Sequence, residues 1–328
     1  MFFPFCLSAM AQPATAGRNH QNQRSGQKMI FTVGDYKVES ASVQLPAEVV
    51  DWGVSLVMAP MAWHKTRGEN VKVAVLDTGI DVNHPDLAPN IVTGRNFTSA
   101  DTNNFQDNAG HGSHCAGLIA GCDNGRGVVG VAPRAKLLVG KILGDNGSGT
   151  LESVAQGVKW AIENGADIIS MSLGTNAQPP EDFHEVFKEA MAKGILVVAA
   201  AGNEHGSVNW PAAYDEVIAV TAIGPTFDPA TFSNLGPQAE VAAPGVNILS
   251  CFPPSTYAIL SGTSMATPIV SGVLALYISY LKSLNQKPDY NLVRQHLDQA
   301  TVDLGQLGRD IHYGYGLVNV AKLIAWEG

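Results

Sequence analysis

Five apolar runs, almost free of polar interruptions, recur from residue 71 onward and leave this chain few ways to fold. They are VKVAVLD (71–77), AKLLVGKIL (135–143), DIISMSL (167–173), ILVVAAAG (195–202) and EVIAVTAI (216–223). None alternates with period two, as a sheet with one wet face would require. Such runs suit strands covered on both faces, the situation of a parallel sheet. Between them lie helical stretches such as LESVAQGVKWAIENG (151–165) and EDFHEVFKEAMAKG (181–194). The second has acidic residues in its first turn, a lysine in its last and Gly194 as a stop. Strand–helix–strand repetition with right-handed crossovers predicts an α/β fold: a doubly wound, mostly parallel sheet with helices on both faces. In such sheets functional residues gather at the carboxyl ends of the strands. No internal repeat or low-complexity block follows residue 30, so residues 47–328 read as one domain.

Composition narrows the partners. The 328 residues are 45% hydrophobic, enough for one large core, and 20 basic against 29 acidic residues give a net charge of −9. That balance gives no electrostatic case for a nucleic-acid partner. No uninterrupted apolar run reaches the roughly 18 residues of a membrane span, so no membrane partner is expected. The four cysteines, Cys6, Cys115, Cys122 and Cys251, do not form a disulfide framework. Cys115 and Cys122 fall seven apart on one expected helix, about 10 Å along its axis. Residues 1–28 read as a disordered leader. Either MFFPFCLSAMA is a signal peptide ending at Ala9-Met10-Ala11, or Met29 is the true start and the leader an annotation artefact.

Three stretches carry chemistry. Asp77 stands at the carboxyl end of the first strand in VAVLDTGID (73–81). His111 opens a helix in GHGSHCAG (110–117) that runs to about Gly121. Ser264 sits just inside a long apolar helix, SGTSMATPIVSGVLALYISYL (261–281). Singly each has a plain structural explanation: a turn former, a helix cap or packing residue, an N-cap serine. Read alone, HGSHCAG is half a metal site, a Cys–His pair, or one base beside two packing residues. The order Asp…His…Ser is more specific, because it is one of the known arrangements of a hydrolytic triad. Ser264 lies in G-T-S-M-A and not in a G-x-S-x-G elbow, which argues against an α/β-hydrolase esterase.

DTGID, HGSHCAG and SGTSMATP, with SLG (172–174) and AAGNE (200–204) between them, resemble the subtilisin-like serine peptidases, or subtilases. The resemblance covers residues 47 to at least 275, keeps the motif spacing, and is strongest to the bacterial intracellular branch. It implies a serine endopeptidase acting through an acyl-enzyme on extended polypeptides. His111 would be the general base, Asp77 would fix its tautomer, and Ser264 would be the nucleophile. Asn203 and the amino end of the Ser264 helix would hold the oxyanion. Pro268 should leave the Ser264 carbonyl without its helical partner. It is followed by Ile269 where relatives usually carry histidine. The competing reading is a catalytically inactive, peptide-binding relative, and the intact set of four argues against it.

The resemblance also implies where substrate lies. Ser148 and Gly149 on one side, and Ser172, Leu173 and Gly174 on the other, would pair with it as an added strand. Small residues around S1 (Ala200, Ala201, Gly202, Gly174) suggest room for a large apolar P1 side chain. Glu204 at the rim suggests tolerance of a basic one, and hence broad specificity. Leu151 suggests an open S4. A structural Ca²⁺ would be held by the side chains of Glu48, Asp86 and Asn124 and the carbonyls of Cys122, Arg126 and Val128, six oxygens in all. Residues 29–46 match the short inhibitory extension of the intracellular branch, with Gly34-Asp35 where a proline usually precedes the tyrosine; cleavage is expected near Pro46. Cytoplasmic location follows, with secretion the alternative if residues 1–11 act as a signal peptide. Members of that branch commonly pair, so a homodimer is allowed. Within HGSHCAG, His111 is then the base, His114 a core histidine, and Cys115 a buried thiol of the kind seen in proteinase K.

Overall fold

The computed structural model describes residues 29–325; the leader, its alternative start signals and Cys6 lie outside them. The elements are β1 (Ile30–Thr32), β2 (Lys37–Val43), α1 (Trp52–Leu56), α2 (Ala59–Ala62), β3 (Lys72–Asp77), β4 (Ile91–Asn96), α3 (His111–Ala120), β5 (Lys136–Lys141), β6 (Ser148–Thr150) and α4 (Leu151–Glu163). There follow β7 (Ile168–Met171), α5 (Glu181–Ala192), β8 (Leu196–Ala200), β9 (Val217–Ile223), β10 (Val241–Pro244), β11 (Ile248–Phe252), β12 (Thr256–Ser261), α6 (Thr263–Ser283), α7 (Tyr290–Gln299) and α8 (Val320–Ala325).

Seven strands form one sheet in the order β10-β9-β8-β7-β3-β5-β4, and every pairing in it is parallel. The five apolar runs are its centre. β7, β8 and β9 are buried along their whole length because helices cover both faces. One apolar layer joins α3 and α6 to the sheet, and a second joins α4 and α5 to its other face. The fold class expected from the sequence is the one observed. β3 lies between β5 and β7, where chain order reverses, so Asp77 ends at the switch point of the sheet.

Local sequence explains the helices. Thr150 caps α4: its hydroxyl accepts from Ser153 N (3.1 Å) while the Ser153 hydroxyl accepts from Thr150 N (3.0 Å). α4 buries Val154, Val158 and Ala161, a three-to-four-residue spacing that turns one face to the sheet. The expectation about membrane spans needs correcting. α6, at 21 residues, is long and apolar enough to cross a bilayer, but 94% of its apolar stretch is buried inside this domain. Its hydroxyls (Thr267, Ser271) bond to carbonyls one turn back and so interrupt the apolar run only in letters. The expected placement of two cysteines on one helix also fails. α3 ends at Ala120, so Cys122 lies beyond it; Cys115, Cys122 and Cys251 are buried free thiols.

Two further sheets were not expected. β1 pairs antiparallel with β6, and β11-β12-β2 form an antiparallel sheet of three. Both take a strand from residues 29–46, which thereby run along the carboxyl-end face of the main sheet.

Candidate active site

β3 ends on Asp77, and its carboxylate Oδ1 accepts hydrogen bonds from His111 Nδ1 (2.8 Å) and from Thr78 N (2.7 Å). Both side chains are almost wholly buried. His111 is the first residue of α3, and Gly110 before it has φ 97°. A side chain at Gly110 would be strained there and would strike the Phe252 ring. Burial alone would lower the His111 pKa; the Asp77 carboxylate more than offsets this and holds the imidazole well above its ordinary range. With Nδ1–H committed to Asp77, Nε2 is the basic nitrogen, and it makes no hydrogen bond among the described residues.

Ser264 is the second residue of α6. Pro268 has no N–H to give its carbonyl, and that oxygen instead accepts from Ser172 Oγ (2.9 Å) and Cys115 Sγ (3.4 Å). The carbonyl freed by the proline therefore ties three segments together. Ser264 Oγ donates to Ser172 O (3.2 Å) and Val33 O (3.3 Å), not to His111. Asn203 follows β8. Its Oδ1 accepts from Thr263 N and Thr263 Oγ1, each at 2.8 Å, which turns its amide nitrogen toward Gly34. Thus Asp77 and His111 are joined directly, Ser264 shares their cleft, and the serine–histidine link is open.

The N-terminal segment runs through this cleft. β1 lies beside β6 with Ile30, Phe31 and Thr32 opposite Thr150, Gly149 and Ser148. Thr32 exchanges both main-chain bonds with Gly174 (3.0 and 2.8 Å), so residues 148–149 and 174 pair with this segment of the chain. Phe31 is fully buried, against Phe183. The chain then turns at Gly34, whose carbonyl accepts from Tyr36 N (3.0 Å), and the Tyr36 ring packs on His111 at 4.7 Å.

The pocket beside Ser264 is lined by Leu173, Gly174, Ala200, Gly202, Asn203, Glu204 and Asn209, with Thr32–Gly34 at its mouth. It leaves only about 10 Å³, room for one water. That volume is what remains with Thr32–Gly34 seated in the cleft. Ala201 faces the core. Glu204 Oε2 accepts from Asn203 N (3.0 Å), Asn209 Nδ2 (3.1 Å) and Asn234 Nδ2 (2.8 Å). Leu151 lies at the edge of the second apolar layer.

The remaining histidine and cysteine of HGSHCAG separate cleanly. His114 Nε2 donates to Ile248 O and Ala258 O, both at 3.1 Å, and burial pushes its pKa down to about 3. It is a neutral tie between α3 and the β11–β12 hairpin. Cys115 Sγ lies 3.9 Å from His111 Nδ1, and burial raises its pKa, so it is a thiol and not a thiolate. Asp77, His111 and Cys115 offer ligand atoms within 4.8 Å of one another, but the best nitrogen is already taken by the carboxylate.

The motif reading missed Asp107. This wholly buried carboxylate accepts from Thr78 Oγ1, Ala109 N, Gly110 N, Ser113 N and Ser113 Oγ at 2.7–3.0 Å. Through Gly110 N and Ser113 N it holds the first turn of α3, and through Thr78 Oγ1 it holds the turn after β3 to it. Its signal was an aspartate four residues ahead of the helix. Lys141 was missed too: buried at the end of β5, it bonds Thr78 O and Asp145 Oδ1 (2.6 Å).

The residues expected to hold a metal are engaged in hydrogen bonds with one another and with their loop. Asp86 Oδ1 accepts from Asn124 Nδ2 (3.0 Å), Asp86 Oδ2 from Val128 N and Tyr257 OH (both 3.0 Å), and Glu48 Oε2 from Gly125 N (2.6 Å). Residues 122–128, including Cys122 and Arg126, loop around Asp86, and a side chain at Gly127 would collide with that carboxylate. Glu48, Asp86 and Asn124 carry side-chain oxygens of the kind a hard cation takes. Asn124 turns its amide nitrogen to Asp86, so an ion between them would need the amide reversed.

A model of the subtilase family matches residues 68–316. The chain is 50% identical over 233 residues to an intracellular serine protease of Paenibacillus polymyxa, covering 68% of this chain and 71% of that one. It is 47% identical over 239 residues to the major intracellular serine protease of Bacillus subtilis (70% and 75%). It is 44% identical over 275 residues to subtilisin Savinase of Lederbergia lenta (83% and 98%).

Proposed function

This chain belongs to the subtilase family of serine proteases, and from that membership we propose an endopeptidase that cuts polypeptides through Asp77, His111 and Ser264. Ser264 Oγ attacks the scissile carbonyl carbon and its proton passes to His111 Nε2. The oxyanion is received by the Asn203 amide and the Ser264 N–H in the first turn of α6. The C–N bond breaks as His111 returns the proton to the leaving amine. Water, deprotonated by the same nitrogen, then releases the acyl group from Ser264. Asp77 keeps Nδ1–H in place and stabilises the imidazolium throughout. The observation that carries this reading is the buried Asp77–His111 pair at 2.8 Å, opening on the cleft where Ser264 heads α6.

Residues 29–46 are the inhibitory extension of domain 47–328. Main-chain pairing fills the substrate path, Tyr36 covers the base, and Val33 O takes the serine hydroxyl away from it. Specificity is broad, with a preference for large apolar P1 side chains against the short wall residues Gly174, Ala200 and Gly202, and with Glu204 allowing a basic one. Calcium at Glu48, Asp86, Asn124 and the loop carbonyls would brace the Asp86 loop against the segment leading to α1. The two relatives named as intracellular support a cytoplasmic location. Casein hydrolysis by the processed chain, abolished in Ser264→Ala and undiminished by metal-protease inhibitors, is the expected outcome. Equal turnover by Ser264→Ala would sink the proposal.

A further inference from the structure

His84 and Asp86, in the turns between β3 and β4, meet Cys251 of β11 in the interior. All three residues are fully buried, and each presents one ligand atom, a nitrogen, an oxygen and a sulfur, within 4.8 Å of the other two. Two hydrogen bonds fix the tautomer of the histidine. His84 Nε2 donates to Thr256 O (2.9 Å) and Nδ1 accepts from Asp86 N (3.2 Å), so Nδ1 carries the lone pair. A carbonyl on the far nitrogen is the usual support of a ligating imidazole. Tyr257 holds two of the three groups: its ring lies edge-on to His84 at 5.3 Å, and its hydroxyl donates to Asp86 Oδ2 (3.0 Å). The Cys251 thiol is free, and its sulfur has no hydrogen-bond partner on another described residue. The contrast is with His111, whose Nδ1 is already bound to Asp77.

We propose that His84 Nδ1, a carboxylate oxygen of Asp86 and Cys251 Sγ bind a thiophilic divalent cation of the Zn²⁺ class. Nitrogen, oxygen and sulfur in one set suit that class, whereas Ca²⁺ and Mg²⁺ take oxygen alone. Bond lengths of about 2.0–2.3 Å put the ligand atoms of a tetrahedral zinc site roughly 3.3–3.6 Å apart. The observed spacing therefore asks for a small inward shift of three side chains. Three protein ligands leave the fourth position to water. On binding, a metal–sulfur bond replaces the S–H bond of Cys251 and the proton leaves to solvent. The Nδ1 lone pair exchanges the Asp86 N–H for the ion. The site shares Asp86 with the oxygen set of Glu48 and Asn124, but His84 and Cys251 are no part of that set. Its consequence is stability. The ion staples the turn at 84–86 to β11, which packs so closely on α3 that a side chain at Gly117 would meet Cys251 Sγ.

The test uses the full-length chain with Ser264→Ala, which prevents self-digestion, and Cys115→Ser, which removes the thiol beside His111. After chelation it is titrated with Co²⁺, whose visible spectrum reports geometry and ligand type. The expected result is a tetrahedral spectrum with a thiolate-to-cobalt charge-transfer band, saturating at one equivalent and bleached by one equivalent of Zn²⁺. Cys251→Ser should abolish the band, and His84→Gln should raise the Kd at least tenfold. Cys122→Ser and Cys6→Ser should leave both unchanged. Zn²⁺ in excess should raise the melting temperature by several degrees, and by none in Cys251→Ser. If Cys251→Ser does not fold, X-ray absorption of the one-zinc protein decides instead: one sulfur at about 2.3 Å beside nitrogen and oxygen at about 2.0–2.2 Å is expected. An octahedral, oxygen-only cobalt spectrum overturns the proposal. So does a band that survives Cys251→Ser or is lost with Cys122 or Cys6, or a zinc shell without sulfur.

Discussion

His114 should make the domain acid-labile, and the effect can be worked out from its surroundings. The ring is fully buried on α3, three residues after His111, with Nε2–H shared between two carbonyls of the β11–β12 hairpin. Burial first, and the neighbouring His111 charge second, lower its pKa from 6.5 to about 3. A base whose pKa falls on folding binds fewer protons in the folded state. Its contribution is therefore complete above the unfolded pKa of about 6.5 and shrinks as pH falls toward 3. Each pH unit in that window removes about 1.4 kcal/mol, so going from pH 7 to pH 4 removes roughly 3 kcal/mol. Against a total of about 5–15 kcal/mol, that is a large share. His114→Gln keeps an amide N–H for the two carbonyls but cannot take up a proton. In a Ser264→Ala background, which prevents self-digestion, urea unfolding would be followed by tryptophan fluorescence at both pH values and fixed calcium. The loss of stability on acidification should be smaller by about 3 kcal/mol in His114→Gln, because all other titrating groups are common to the pair. Parallel losses in the two proteins would refute the reasoning.

Asp77→Asn should lower kcat about 10⁴-fold, a size general to triads of this type. It should also move the acidic limb of the pH–rate profile downward, since that limb in the parent lies above 6.5 while the carboxylate raises His111. Cys115→Ser should leave kcat within a few-fold and abolish inactivation by mercurials; a fall to the level of Ser264→Ala would make the thiol a reactant. Chelation should lower the melting temperature of the parent by several degrees, with an ion at 100 times its Kd contributing about 2.7 kcal/mol. Asp86→Asn should start low and not respond. Phe31→Asp should give full-length protein that is active without a lag. Burial of that ring contributes about 1.5–3 kcal/mol, so its loss loosens the extension at least tenfold. An unchanged lag would remove the extension from the account of latency.

The parts of the molecule legible in the sequence are those whose causes are local. β7, β8 and β9 announce themselves because a strand covered on both faces must be apolar along its length. Asp77, His111 and Ser264 stand in motifs whose glycines and proline are themselves required: Gly110 by its backbone angle, Pro268 by the carbonyl it frees. β4 was not legible, since IVTGRN is half-buried with no clear period, and VAAP of β10 is too short to show one. The hydrogen-bond network at Glu204 was not legible for a different reason. Asn209 and Asn234 lie 5 and 30 residues from Glu204, and only the fold brings their amides to one carboxylate. The short wall residues say nothing of that network. The same holds for β12 and β2, more than 200 residues apart, whose pairing is made of backbone and leaves no mark in side chains.

The most direct measurement of the central claim is to treat the processed protein with a fluorophosphonate and locate the adduct by mass spectrometry. A single adduct on the peptide containing Ser264, lost in His111→Ala and slowed while residues 29–46 remain in place, is the predicted result. No adduct, or an adduct on another serine while casein is still being cut, would contradict it.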